Sequence, residues 1–220
     1  MSKIPVALQM YTLRNETEVD FTGTLKKVAD LGYNGVEFAG YGGLSAPELK
    51  AVLDGLGLSA ASSHVPLDQL KNNLSDVISY QQAIGNSYIV CPFLMPDERT
   101  EAHYLELAHT LNHVGEECAK EGLTFAYHNH DFELETLSNG RKVLDYLLEE
   151  TNPEWVHAEF DIYWLTKAGE DPAEWLKRYK GRTPLVHLKD MTTDSEQFFA
   201  ELGTGGVNLD SVLNLGKNLM

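Results

Sequence analysis

Leu123-Thr124-Phe125-Ala126-Tyr127-His128-Asn129-His130-Asp131-Phe132-Glu133 is the stretch that decides the fold. Residues 123–127 form a short apolar, strand-like run, and it ends abruptly in ionisable side chains. A long helical stretch, 99–121, precedes it and is closed by Gly122. His128 and His130 stand at i and i+2, so on a continuing strand they point to one side. Imidazole and carboxylate together suit a divalent metal. The same residues also read as surface polars in a strand-to-helix loop.

The same alternation runs outward in both directions. Strand-like runs fall at 6–10, 35–39, 58–64, 87–92, 155–161 and 184–190. Helical spacing falls at 15–32, 46–56, 67–84, 140–150, near 172–179 and at 208–219. Pro47 just after Ser45 is a start signal, and Gly57 and Gly85 are stops. Strict strand–helix alternation predicts a parallel sheet with helices outside it. Two features favour a barrel over an open sheet. No GxGxxG follows the first strand. Polar residues also recur at the C-terminal ends of strands: Gln9, Glu37, His64, His128, His130, Asp161, His187 and Asp190. Barrel enzymes assemble their sites from those ends. The expected fold is an α/β, TIM-type (β/α) barrel forming one domain over 1–220, with seven βα units recognisable. Eight such units take about 250 residues, and this chain has 220.

Two further clusters carry chemistry. In Glu159-Phe160-Asp161-Ile162-Tyr163-Trp164, Asp161 closes an apolar strand. A buried carboxylate there is costly unless it meets a metal or a donor. Asp161 is therefore a ligand or the N-cap of the following turn. In Leu185-Val186-His187-Leu188-Lys189-Asp190, His187 and Lys189 share one strand face, and Val186 and Leu188 share the other.

These clusters, in this order on successive strands, resemble the xylose isomerase-like barrel superfamily of sugar (phosphate) isomerases, epimerases and related dehydratases. Ala7-Leu8-Gln9-Met10-Tyr11-Thr12-Leu13-Arg14 is similar to its first strand, and Leu31-Gly32-Tyr33-Asn34-Gly35-Val36-Glu37-Phe38 to its second unit. The Asp161 segment with Ala168-Gly169, and the segment from Val186 to Asp190, resemble its metal-site strands. Gly203-Thr204-Gly205-Gly206-Val207-Asn208 resembles the turn before its last repeat.

The resemblance implies a divalent metal (Mn, Mg or Zn) held by a Glu, an Asp, a His and a second Glu. It also implies proton transfer beside the carbonyl of a keto-sugar or cyclitol. By matching motif, Asp161 and His187 are the Asp and His ligands. The first Glu aligns with His128. Either His128 replaces it or Glu133 folds back, and Glu133 is preferred because hard oxygen ligands suit Mg²⁺ or Mn²⁺. Glu133 and His130 are the proton-transfer candidates. Glu37 and His64 resemble substrate-contacting positions, though each reads equally as a satisfied loop residue. Trp164 and Phe93 are candidates for an apolar wall, and Lys189 for binding a sugar oxygen or phosphate. The last Glu belongs to an eighth strand that would follow Met220. The expected barrel is thus C-terminally incomplete and open between its first and seventh strands. Such edges pair with other chains, so a homo-oligomer is expected.

Formal net charge is −16, and no basic run is present. Nucleic acid is therefore an unexpected partner, which argues against an apurinic endonuclease reading. Cys91 and Cys118 are far apart with no CxxC, so a disulfide framework is not expected; Cys91 reads as packed core. Apolar runs are too short for a membrane span, and a cytoplasmic location is the expectation. Two readings of function remain: a metal-dependent enzyme on a small sugar, and an inactive truncated barrel that keeps only sugar binding or association.

Overall fold

The computed structural model describes residues 5–219, with side chains to residue 215. Seven parallel strands lie in the sheet in the order of the sequence. They are β1 (Ala7–Gln9), β2 (Gly35–Phe38), β3 (Ser59–His64), β4 (Tyr88–Cys91), β5 (Thr124–His128), β6 (Val156–Asp161) and β7 (Leu185–His187). Helices alternate with them: α1 (Arg14–Val19), α2 (Phe21–Asp30), α3 (Ala46–Leu56), α4 (Leu67–Asn72), α5 (Leu74–Ile84), α6 (Glu101–Lys120), α7 (Val143–Glu149), α8 (Ile162–Lys167), α9 (Pro172–Arg178) and α10 (Leu209–Leu219). This is the seven-unit TIM-type α/β fold. Two short strands, β8 (Asp190–Met191) and β9 (Phe199–Ala200), form a separate antiparallel pair. Among the described residues no helix is long and apolar enough to cross a membrane. The chain forms two compact units, residues 5–92 with 114–125 and residues 93–113 with 126–219.

In the first unit β2 is the centre of the core. All four of its residues are buried, as expected of a parallel strand covered on both faces. Val36 and Phe38 pack with Leu25 and Val28 of α2 and Leu49 and Leu53 of α3. Full burial of such side chains contributes about 1.5–3 kcal/mol each. Gly35 is required by close approach, because a Cβ there would lie 2.6 Å from the Ser59 carbonyl oxygen. Helix α3 begins in a capping box between Ser45 and Glu48 and ends at Gly57 in the left-handed region.

Two stretches expected as single helices are each broken in two. Residues 15–32 divide at Asp20, whose side chain accepts from the Gly23 N–H at 2.9 Å and so starts α2. Residues 67–84 divide at Asn73, which leaves helical geometry (φ −136°). Asp and Asn side chains compete for the backbone, which makes such breaks cheap.

In the second unit β6 pairs with β7 in the register Glu159↔Leu185, Phe160↔Val186, Asp161↔His187. Phe160 is fully buried, with Trp175 and Tyr179 each 5.9 Å away edge-on. The strand expected over 184–190 is shorter than its pattern. It stops at His187, and Asp190 begins β8. The buried Asp190 carboxylate accepts from the N–H groups of Met191, Gly203, Gly205 and Val207 at 2.9–3.0 Å. Burial would raise its pKa, but these four bonds outweigh burial and hold it below the ordinary carboxylate value. Asp190, one of the strand-end polars, thus folds the 203–207 turn. Gly205 must be glycine there, since a Cβ would lie 2.1 Å from the Met191 carbonyl oxygen.

Candidate active site

The C-terminal ends of β5, β6 and β7 bring their ionisable side chains together within the second unit. Glu159 and Asp161 stand at i and i+2 on β6 and share a face. Both are buried, at 1% and 0% exposure. His128, the last residue of β5, puts Nδ1 3.0 Å from Glu159 Oε2. His187, the last residue of β7, puts Nε2 3.4 Å from the same oxygen. The two imidazole rings lie 4.6 Å apart. One carboxylate oxygen thus has an imidazole nitrogen on either side.

Asp161 serves both of the roles its position suggests. Its Oδ1 caps α8, accepting from the N–H groups of Tyr163 (3.0 Å) and Trp164 (3.3 Å). Its Oδ2 faces the cluster, 2.6 Å from Lys189 Nζ, 3.7 Å from His128 Nε2 and 3.8 Å from His187 Nδ1. Burial alone would push this carboxyl up, but His187 and Lys189 more than offset that and hold it below its ordinary value. Asn129 fixes the strand end, with its Oδ1 accepting from the Asp161 N–H at 3.0 Å.

A metal fits this donor set. His128, Glu159 and His187 each offer one ligand atom, and these atoms lie within 4.8 Å of one another. Two imidazoles and a carboxylate are a three-ligand set of the kind catalytic zinc uses, with a coordination position left open. Two carboxylates buried on one strand face are also costly in ionised form. Lys189 meets that cost at Asp161, and a divalent cation would meet it at Glu159.

Glu133 lies elsewhere. Its Oε1 accepts from the Tyr127 hydroxyl at 2.7 Å and its Oε2 from the His130 N–H at 2.7 Å. Both oxygens are committed to the 127–133 turn, which explains why the side chain is buried yet not grouped with His128, Glu159 and His187. Burial raises its pKa to about 7 against the pull of these two bonds and of Arg99. His130 packs among aromatic rings, 5.1 Å from Phe93, 5.7 Å from Phe132 and 5.2 Å from Trp164. Phe93 and Trp164 thus both pack against the His130 ring.

The first unit holds its own buried histidine–carboxylate pair. Glu37 Oε1 is 3.0 Å from His64 Nε2, and Glu37 Oε2 accepts from the Ser62 hydroxyl. Gln9 Nε2 lies 3.4 Å from His64 Nδ1.

Glu159 is the residue the sequence reading passed over. The available signal was its spacing: Glu159 and Asp161 lie two apart on a strand, so any face that presents one presents the other.

Seven βα units with histidines and carboxylates at the strand tips define a protein of the TIM-type (β/α) fold. The chain belongs to the xylose isomerase-like TIM barrel family, whose model matches residues 25–215. An inosose dehydratase of Geobacillus kaustophilus is 29% identical over 193 residues, covering 77% of this chain and 62% of that protein. Inosose dehydratase 2 of Bacillus cereus is 36% identical over 92 residues, covering 42% of this chain and 30% of that protein. The chain thus spans less than two thirds of the length of these relatives. In fold it is similar to a sugar phosphate isomerase/epimerase from Parabacteroides distasonis, with TM-score 0.83, 23% identity, and coverage of 100% of this chain and 84% of that one. It is likewise similar to the IolI protein crystallised with a zinc atom, with TM-score 0.76, 13% identity, and coverage of 99% and 86%.

Proposed function

We propose that this chain carries a metal-assisted site that removes a proton next to the carbonyl of a keto-sugar or keto-cyclitol, as a dehydratase, epimerase or isomerase does. The observation that carries this reading is the convergence of His128, Glu159 and His187 beside the Asp161–Lys189 pair. Similarity to inosose dehydratases supports a cyclitol substrate, and the zinc in the IolI structure supports a metal.

His128, Glu159 and His187 would hold a divalent ion, Mn, Mg or Zn, which supplies Lewis-acid polarisation of the carbonyl when bound. Asp161 completes the wall of the site as an ionised group, and Lys189 neutralises it and offers N–H donors to a substrate oxygen. His130, whose ring lies 5.0 Å from that of His128, would move the proton. Its backbone N–H is held by Glu133, which makes Glu133 a positioning residue acting through the 130–133 turn. Trp164 and Phe93 give the apolar wall. With the proton acceptor and the carbonyl both fixed, the carbon acid ionises without reorganising solvent.

The test is exchange of the α-proton of inosose with deuterated water, followed by NMR with Mg²⁺ or Zn²⁺ added. The chain should catalyse exchange, and a chelator or His187→Ala should abolish it. Exchange that survives both would overturn the reading.

A further inference from the structure

Three of the eight histidines lie on α6, and two of them, His109 and His113, are one helical turn apart. The helix runs unbroken from Glu101 to Lys120. Its inward side carries Tyr104, Leu107, Ala108 and Leu111, all buried. Those positions fix the rotation of the helix, so His109 and His113 fall on the opposite, solvent side, and both are exposed. Glu106, also exposed, lies one turn before His109 on the same side. Among the described residues, neither ring and neither carboxylate oxygen of Glu106 is engaged in a hydrogen bond or ion pair. Glu106 accepts from the Thr110 hydroxyl only through its backbone carbonyl. His103, the third histidine, differs: its Nδ1 lies 3.1 Å from the Thr100 hydroxyl oxygen, which also accepts from the His103 N–H.

We propose that His109 and His113 form a second metal site, one that takes a borderline divalent cation such as Zn²⁺, Ni²⁺ or Cu²⁺ and excludes Mg²⁺. Side chains at i and i+4 of a helix have Cβ atoms about 5–6 Å apart. A metal–imidazole bond is about 2.0–2.1 Å long, so two rings turned towards each other can share one ion. Helix-borne histidines at this spacing do so in zinc proteases. No internal contact has to break first, because neither ring is engaged within the protein. Two imidazoles select the borderline metals, since Mg²⁺ demands oxygen ligands and holds its water. Glu106 and the net charge of −16 favour a cation at this surface. Water fills the remaining coordination positions, so the metal is exchangeable. The site shares no ligand with the cluster of His128, Glu159 and His187. It therefore stands or falls apart from the proton-transfer reading.

Stepwise Ni²⁺ addition to the isotope-labelled chain tests it, because this paramagnetic ion broadens the amide resonances around the place where it binds. Residues 106–113 should broaden with a saturable midpoint. Alanine is a better helix former than histidine, so His109→Ala and His113→Ala keep α6 intact. Each should raise the midpoint at least about tenfold, because the second imidazole acts on an ion already held nearby. His103→Ala should leave the midpoint unchanged, and so should His187→Ala, which acts on the other cluster. Equimolar Mg²⁺ should not compete. The proposal is overturned if residues 106–113 do not broaden, or if His109→Ala or His113→Ala leaves the midpoint where it was. An equal rise in His103→Ala or His187→Ala, or displacement of Ni²⁺ by equimolar Mg²⁺, also overturns it.

Discussion

Each of the two units buries a histidine against a carboxylate at a strand tip, but the two clusters are built to opposite rules. In the first, the contacts fall on separate atoms. Glu37 meets Ser62 with one oxygen and His64 with the other, and the second nitrogen of His64 meets Gln9. In the second, donors converge. The imidazoles of His128 and His187 lie 3.0 and 3.4 Å from the same oxygen of Glu159, and Lys189 and both rings face the same oxygen of Asp161. A matched cluster holds its side chains in place and presents them. A convergent cluster brings imidazole nitrogens and carboxylate oxygens into one small volume, as a metal site needs. Histidine beside carboxylate is thus no signature by itself; the number of donors per acceptor separates the two uses.

The largest expected effect tests the convergent cluster. Glu159→Gln, which keeps shape and removes charge, should lower Zn²⁺ affinity by more than about 100-fold, beyond the 10–100-fold that partners of metal ligands command. Competition with a chromophoric chelator measures it. If Glu133→Gln costs as much affinity as Glu159→Gln, the assignment of Glu159 over Glu133 is wrong.

Glu133 offers a second test, because it is a matched carboxylate within the convergent unit. Its pKa is raised from 4.5 to about 7, with burial the main cause. In the unfolded chain it ionises near 4.5, so between those values the folded state holds more proton than the unfolded state. Stability should therefore fall as pH rises from about 4.5 to 7 and level off above that, by up to about 3 kcal/mol. Asp161 has the opposite sign. Its pKa is lowered, so its contribution is present above its unfolded value and is lost as pH falls through the folded one. Urea unfolding across this range should show the falling slope in the parent chain and a flatter one in Glu133→Gln. An unchanged slope in the variant would assign the effect to another group.

The smallest effect belongs to the matched cluster. Glu37→Gln keeps one acceptor and the shape of the side chain, and should cost about 1–2 kcal/mol in urea unfolding. A loss of 4 kcal/mol or more would mean that Glu37 anchors the first unit and does more than hold His64.

The sequence by itself determined the order of elements, because strand and helix periodicities are local. It also determined the start of α3 at Ser45 and Pro47 and its stop at Gly57, because caps need residues only a few positions apart. It placed ionisable groups at the strand ends, and His128, Asp161 and His187 do meet there. The tertiary structure decided which atoms each carboxylate sees. Glu133 and Glu159 are acidic residues of successive strand-end clusters, yet Tyr127 and the His130 N–H claim Glu133, and two imidazoles on neighbouring strands surround Glu159. Asp190, also a polar residue at a strand-like end, folds a turn instead, because its four partners arrive from Met191 and from residues 203–207. Period-two alternation says which side chains share a face. It cannot say what a neighbouring strand or a distant turn brings to that face, and that is what separates a ligand from a clamp.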